Sequence, residues 1–208
     1  MDDQEFDAAL LASFFALVAE GGWRGATIAE AARRASLPLA QARRRFPCRP
    51  AAIARLAARA DAQALAAAPA EGGARDRLFD LLMQRLDVFQ AHRAGVVALL
   101  KHLPFDPPLA VATSLVSLSS MGWMLEAAGI SAHGPLGYLR RKGLLGVWLW
   151  TLRAWTRDES EDLSATMAAL DQGLSRAATL ARWLPGGRAS DDSADDAPAG
   201  DAPAGAAE

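Results

Sequence analysis

The chain is poor in the residues that enzyme active sites most often use. It contains one cysteine, Cys48, and three histidines in 208 residues. A single cysteine excludes an intrachain disulfide and favours a reducing compartment. His92, His102 and His133 are not at metal-ligand spacing, and Cys48 has no CxxC partner. A glycine-rich phosphate loop and a serine nucleophile elbow are missing too. We therefore expect neither an enzyme nor a bound metal or cofactor.

Strand-forming and membrane-spanning patterns are also scarce. Alanine and leucine dominate, β-branched residues are few, and no stretch alternates apolar with polar residues. The longest uncharged run, residues 107–125, includes two prolines and four serines. A membrane span needs about 20 predominantly apolar residues, so we expect a buried helix there and no integral span. The acidic start, MDDQEFD, lacks the basic region of a secretory signal. These features predict an all-α, cytoplasmic protein.

Positive charge is concentrated in one block. Residues 21–60 carry nine arginines and one acid, Glu30, for a net charge of +8. Residues 1–20 and 186–208 are each net −5, and residues 61–185 are neutral. Arginine as the default surface cation explains the rarity of lysine, but not nine arginines in forty residues. Such a charge on a compact helical module indicates a nucleic-acid binder.

Apolar periodicity and end signals predict nine helices. Gly21 and Gly22 are expected to end the first, and Thr27 to cap the second, with Glu30 at capping-box spacing. The tail 185–208 is rich in Gly, Pro, Ala and Asp and is expected to be disordered. The predicted helices cover residues 3–20, 27–35, 39–46, 51–66, 75–91, 93–103, 108–128, 136–157 and 159–184.

The second and third helices have the dimensions of a helix-turn-helix. Ala31 and Ala32 supply small residues where the helices cross, and Leu37 supplies an apolar turn residue. Outward arginines could contact phosphates or bind guanine, and Gln41 could pair with adenine. The alternative is a degenerate module kept only as a folding unit. The candidate DNA-binding residues are Thr27, Gln41, Arg43, Arg44, Arg45 and Arg49.

Residues 22–56 resemble the TetR family of bacterial repressors. The landmarks are the Gly22–Trp23 pair, Thr27 opening the second helix, the EAARRA core and the Phe46–Pro47 pair. The resemblance implies a TetR-like fold: a three-helix N-terminal module and a C-terminal bundle of about six helices. It also implies an operator DNA partner, an effector in the bundle and a homodimer formed by the last two long helices. The corresponding domains are 1–50 and 51–184, followed by the tail 185–208.

Three positions depart from the TetR pattern. Ser36 stands where the family usually has glycine in the turn, and Pro38 where it has a serine or threonine cap. A lost N-cap costs about 1 kcal/mol. Arg43 replaces a tyrosine that touches a phosphate, and its charge could restore that contact.

Residues 121–171 show a second resemblance, to the ubiquinone-biosynthesis accessory Coq-nine family. It rests on MGWMLEAAGI from Met121, the Tyr138–Arg141 step and the acidic turn before Thr166. That family has a TetR-like fold and binds isoprenoid lipid rather than DNA. The alternative function is therefore lipid binding without DNA binding.

Both resemblances imply an apolar cavity in the C-terminal bundle. Trp148 and Trp150 lie about 200° apart around a helix, so one face could line the cavity and the other meet a partner subunit. Any single candidate could instead be plain core. The candidates to line the pocket are Phe89, Met121, Trp123, Met124, Trp148, Trp150 and Trp155.

Overall fold

A computed structural model describes residues 1–68 and 71–181 of the chain. These residues form nine α-helices, a short 3-10 helix at Leu103–Phe105 and no strand, which confirms the all-α prediction. The predicted disordered tail and the last residues of the final predicted helix lie outside the described residues. The helices are α1 Asp3–Gly25, α2 Ile28–Arg34, α3 Leu39–Arg45, α4 Arg49–Ala66, α5 Ala74–Gln90, α6 Arg93–His102, α7 Pro107–Ala127, α8 Gly134–Trp155 and α9 Ser164–Ala181.

Helix α1 consists of two helical stretches that meet at Gly22. A capping box starts it: the Glu5 amide donates to Asp2 Oδ1 at 2.7 Å, and the Asp2 amide donates to Glu5 Oε2 at 2.9 Å. Gly22 has φ 72° and ψ 172°, which is not a helical conformation, so the first stretch ends at the glycine pair as predicted and a short stretch follows this kink to Gly25. Glycine adopts this φ without strain. Beyond the kink Trp23 packs edge-on against Phe14, with ring centroids 5.8 Å apart.

The second and third helices form the expected helix-turn-helix pair. The Glu30 amide donates to Thr27 Oγ1 at 3.1 Å, so Thr27 caps α2 as predicted. The reciprocal half of the capping box is replaced, since the Glu30 carboxylate pairs with Arg33. Pro38 occupies the N-cap of α3 and makes no side-chain cap bond. The first turn of α3 therefore lacks a side-chain cap, and contacts at the C-terminal end of α3 become more important for its stability.

Helices α1 and α4 join the helix-turn-helix to the rest of the chain. Helix α1 packs along α6, and α4 packs against both α5 and α7. At the α1–α6 crossing, a Cβ added to Gly95 would lie 2.2 Å from the Phe15 carbonyl oxygen. Only glycine permits this close backbone approach. The helix-turn-helix is thus fixed to the C-terminal bundle at both α1 and α4.

Helices α8 and α9 pack along each other, but α9 begins five residues later than predicted. Leu163 has a φ of 54° and interrupts the helical path. The preceding turn is organised by buried Asp158, which accepts hydrogen bonds from the Thr166 amide at 2.8 Å and the Thr166 hydroxyl at 2.7 Å. The interpretation of the acidic turn as a helix-capping device therefore agrees with the structure.

Helix α7 contains the long uncharged run. By length and composition both α1 and α7 could cross a membrane, a test that core helices of soluble proteins also pass. The expectation of a buried helix holds for one face of α7, where Met121 and Met124 are fully buried. Val111, Leu115 and Trp123 on the opposite side are each more than 60% exposed.

Candidate nucleic-acid interface and effector region

The outer surface of α3 carries three of the predicted DNA-binding side chains. Ala42 is buried beneath the helix, so its neighbours Arg43 and Arg44 point outward and are exposed, while Gln41 is half-buried. Arg43 donates from Nη1 to the Pro47 carbonyl oxygen at 3.1 Å. This single bond leaves its other donors available. Two cations and one amide therefore share the solvent-facing surface of the helix.

Arg45 pairs with acids of α1. Its guanidinium pairs with Asp7 through Nε–Oδ1 at 2.6 Å and Nη2–Oδ2 at 2.7 Å, and with Asp3 through Nη1–Oδ2 at 2.6 Å. The hydrogen bonds that Arg45 donates to Asp7 are the main cause that raises the pKa of Arg45 above its ordinary value. All its guanidinium nitrogens face carboxylates of α1, and its predicted DNA contact stays a prediction. Arg45 ties the end of α3 to the start of α1.

Arg49 is also committed within the protein. Its Nη1 donates to the carbonyl oxygens of Trp23 at 3.0 Å and Arg24 at 3.3 Å, and its guanidinium lies 5.6 Å from the Trp23 ring centroid. These carbonyls belong to the last turn of α1, where a cation is favoured. Arg49 is therefore a cap for α1 and not a free phosphate ligand. The Thr27 hydroxyl is likewise occupied by its capping bond.

Acids from α1 neutralise part of the basic block. Besides Arg45, Arg34 pairs with Glu20 at 2.7 Å and Arg55 lies 3.7 Å from Asp7. The net charge of residues 1–60 is consequently +3, against +8 for residues 21–60 alone. We did not predict from the sequence that acids of α1 would pair with these arginines. The four-residue spacing of Asp3 and Asp7, which puts them on one helix face, was the available signal.

The turn between α2 and α3 keeps a left-handed geometry despite its serine. Ser36 has a φ of 54°, and the Leu37 amide donates to the Ala32 carbonyl oxygen at 2.8 Å. A non-glycine residue in this conformation costs about 1 kcal/mol. The turn therefore carries a backbone strain that the glycine of the resembling family would not.

Two of the predicted pocket residues face outward. Trp123 is 62% exposed and Trp150 is 50% exposed, so neither lines an interior cavity. The helical rotation explains the second case, because Trp148 on the opposite side of α8 is only 1% exposed. Trp150 shares its outward surface with exposed Leu139 and Leu149. That one face of α8 meets a partner subunit stays a prediction.

The centre of the predicted apolar pocket contains a buried cation. The Arg85 guanidinium lies 4.7 Å from the Trp148 ring centroid and 5.6 Å from that of Phe89. Its Nε is 2.8 Å from Asp61 Oδ1, and its Nη2 donates to Ser120 Oγ at 3.1 Å. Ser120 Oγ in turn donates to Asp61 Oδ2 at 2.6 Å. The sequence predicted a purely apolar pocket beside Trp148 and Phe89, but the Arg85 guanidinium and its Asp61 partner lie there.

Arg85 was absent from the sequence-based candidates. It lies three residues after Leu82 and four before Phe89, in the middle of the apolar stripe of α5. A charge at such a position must be paired when buried, so the stripe itself carried the signal. Burial lowers the pKa of Arg85, and the nearby Asp61 carboxylate opposes that shift.

The remaining predicted pocket residues, Met121, Met124 and Trp155, are fully buried core side chains. Trp155 belongs to the same hydrophobic core as Phe89 and Trp148; its Nε1 donates to Gln90 Oε1 at 2.8 Å, and Arg93 lies 4.8 Å from its ring centroid. A shallow cleft of about 240 Å³ lies between α4 and α7, and none of the seven candidates lines it. Its lining residues are Pro50, Ala51, Ile53, Ala54, Ala112, Thr113 and Val116.

Metal ligation has no candidate cluster in the part of the chain that the structure describes. No three His, Cys, Asp or Glu side chains there are grouped to hold an ion. Cys48 is a free, exposed thiol at the start of α4.

Comparison with known proteins identifies the fold. No family model and no curated protein matches the sequence. A TetR transcriptional regulator from Nitrosomonas europaea ATCC 19718 aligns over 86% of this chain and 99% of its own, with 23% identity and a TM-score of 0.67. A transcriptional regulator from Rhodococcus sp. Rha1 aligns over 86% and 99%, with 20% identity and a TM-score of 0.55. The chain therefore has the TetR-like fold.

Proposed function

We propose that this protein is a DNA-binding transcriptional regulator of the TetR type, most simply a cytoplasmic repressor. The observation that supports this function best is the anchored helix α3, clamped to α1 by Arg45 while Arg43 and Arg44 stay exposed. A rigid helix with outward cations is the arrangement that major-groove recognition requires. The fold neighbours named as transcriptional regulators support the same class of function.

The exposed and the paired arginines are assigned different roles in this proposal. Arg43 takes the place of the tyrosine that the resembling family uses on a phosphate, and its charge provides a salt-dependent contact. Arg44 and Gln41 are the candidates for base edges, since both side chains suit bidentate hydrogen bonding. Arg45, Arg49 and Thr27 shape the module without touching DNA.

A homodimer would place two copies of α3 on successive turns of DNA, about 34 Å apart. The outward surface of α8 suits such an assembly, because Leu139, Leu149 and Trp150 are exposed on the helix that carries Gly146, where an added Cβ would meet no atom within 4 Å. Small residues let a second helix approach closely, and an apolar surface of this kind favours burial. We place the dimer interface on α8 and α9.

Regulation requires a small effector in the C-terminal bundle. Helix α4 leaves the helix-turn-helix directly and packs against α5 and α7. An effector of largely apolar character that favours a different arrangement of α4 would change the spacing of the two α3 helices and weaken operator binding.

The decisive experiment is a gel shift with DNA from upstream of the protein's own gene. Wild-type protein is expected to bind selectively, with affinity falling steeply as salt rises. Arg43→Ala/Arg44→Ala should abolish selective binding and reduce the salt slope by about one for each phosphate that the variant no longer neutralises. Lys101→Ala/Arg157→Ala removes two cations that the structure shows exposed elsewhere and should bind like wild type. If wild-type protein produced no selective shift, the proposed DNA-binding function would be wrong.

A second candidate function is the binding of isoprenoid lipid without DNA. It is favoured by the apolar side chains exposed on α7, where Val111 is 61%, Leu115 62% and Trp123 62% exposed. Mass spectrometry of an organic extract of the purified protein tests it. A co-purifying isoprenoid together with no selective gel shift would favour this function over the first.

A further inference from the structure

The Asp61–Arg85–Ser120 network joins three helices at one buried point. Asp61 belongs to α4, Arg85 to α5 and Ser120 to α7. Asp61 lies twelve residues into α4, about 18 Å from the end that leaves the helix-turn-helix. The network therefore fixes the helix that positions α3 relative to the bundle. Any molecule that rearranges these three side chains would act on α4 directly.

The guanidinium of Arg85 is incompletely satisfied. Its side chain is 1% exposed, yet Nη1 is buried without a hydrogen-bond partner. Nε lies close to Asp61 Oδ1 but does not direct its hydrogen at that oxygen, so the contact is an ion pair without a hydrogen bond. A buried guanidinium presents five donors in a fixed fork that suits a carboxylate. The cage thus offers an unused donor to an incoming acceptor.

Asp61 can move out of the ion pair more easily than Arg85 can. Asp61 keeps 17% of its side chain exposed, whereas Arg85 is enclosed by Trp148, Phe89 and Ser120. A displaced Asp61 can turn towards water, but an abandoned Arg85 would remain as a buried, unpaired charge. Only a ligand with its own negative charge can replace Asp61 without that cost.

We propose that Arg85 is the anchor of the effector and that the effector is a small carboxylic acid with an apolar body. Its carboxylate takes the place of Asp61 on the guanidinium, and its apolar body packs on Trp148 and Phe89. Departure of Asp61 unpins α4 from α5 and α7. This inference rests on the proposed regulatory function and gives its effector a chemical class, an acid in place of a neutral apolar molecule.

Chemical rescue tests the anchor in the full-length chain. Asp61→Ala opens a space the size of a carboxylate beside Arg85 and should lower the melting temperature by roughly 10 °C, as expected for a broken buried ion pair in a chain of this size. Acetate should restore most of that loss, and acetamide at matched ionic strength should not. Equal responses to both molecules, or no response to acetate, would overturn the proposal. Should the variant not fold unaided, the same comparison is made on its refolding yield.

A second variant replaces both charged residues of the ion pair with uncharged ones. Asp61→Asn/Arg85→Met buries no charge and is expected to fold, but without the ion pair that pins α4 it should bind the operator more weakly than wild type. Benzoate or octanoate at a concentration that releases wild-type protein from DNA should leave the remaining operator affinity of this variant unchanged. Release of both proteins by the same acid would contradict an anchor at Arg85. Because the rescue experiment is measured without DNA, failure of the anchor is distinguishable from failure of operator binding.

Discussion

Arg45 at the end of α3 and Asp7 near the start of α1 form a two-bond fork, with Nε–Oδ1 at 2.6 Å and Nη2–Oδ2 at 2.7 Å. This pair spans 38 residues of sequence and fixes the orientation of the recognition helix. Planar, bidentate pairs of this kind are the most directional contacts that arginine makes. The clamp replaces the serine or threonine cap that α3 lacks at its other end.

Replacement of Arg45 should therefore affect both folding and DNA binding. Arg45→Ala is expected to lower the melting temperature and to weaken operator binding, because α3 loses its attachment to α1. Arg44→Ala should weaken binding with an unchanged melting temperature. Thermal denaturation and gel shifts on both variants separate the two roles. If Arg45→Ala melts like wild type while losing DNA affinity, Arg45 contacts DNA after all.

Gly95 should be intolerant of any side chain. A Cβ there would lie 2.2 Å from the Phe15 carbonyl oxygen and 2.8 Å from Phe15 Cβ, so α1 and α6 must separate. Gly95→Ala is expected to cost about 3 kcal/mol of unfolding free energy, the upper range for overpacking. Gly21→Ala is the matched control, since nothing lies within 4 Å of its added Cβ. That control should be neutral or more stable in urea denaturation.

Local signals in the sequence predicted most of the helices. They could not predict ion pairs between residues that are far apart in the sequence. Thr27 and the apolar stripes depend on neighbours within a few residues, and these predictions were confirmed. The roles of Arg45 and Arg49 depend on contacts with α1, which the outward-facing pattern of cations along one helix does not contain. Arg85 shows the same limit, because a charged residue in an apolar stripe gives no indication of its partner on α4.

The two tryptophans of α8 illustrate what helical periodicity can decide. It separated Trp148 from Trp150 correctly, but it could not say which side faces the core. Trp123 was misplaced for a related reason: the uncharged run 107–125 has no charged side to mark the solvent.

The turn at Ser36 should be improved by glycine. Its φ of 54° is unfavourable for serine and unstrained for glycine. Ser36→Gly is expected to raise the unfolding free energy by up to about 1 kcal/mol, partly offset by the greater entropy of the unfolded chain. Ser36→Ala keeps the strain and should not gain. Urea denaturation of the two variants side by side measures the difference, and equal stability of both would argue against strain at this turn.

Asp158 should make the C-terminal pair of helices sensitive to acid. Hydrogen bonds from Ser160 and Thr166 lower the pKa of Asp158 below its ordinary value of 3.8. A depressed pKa means stability that is fully present above that ordinary value and is lost as the pH falls towards the folded-state pKa. Asp158→Asn should therefore be less stable than wild type at neutral pH, with the gap closing in acid. Denaturant titrations across this pH range test it, with Glu159→Gln as an exposed control.

Trp150 and Trp123 offer a paired test of the dimer interface. Both are at least 50% exposed in the isolated chain, but only Trp150 lies on α8 beside Leu149 and the open Gly146. A charge at the centre of an apolar interface is costly to bury, so Trp150→Glu should yield a monomer. Trp123→Glu on α7 should stay dimeric. Light scattering coupled to size exclusion gives the mass of each, and a dimeric Trp150→Glu with a monomeric Trp123→Glu would move the interface to α7.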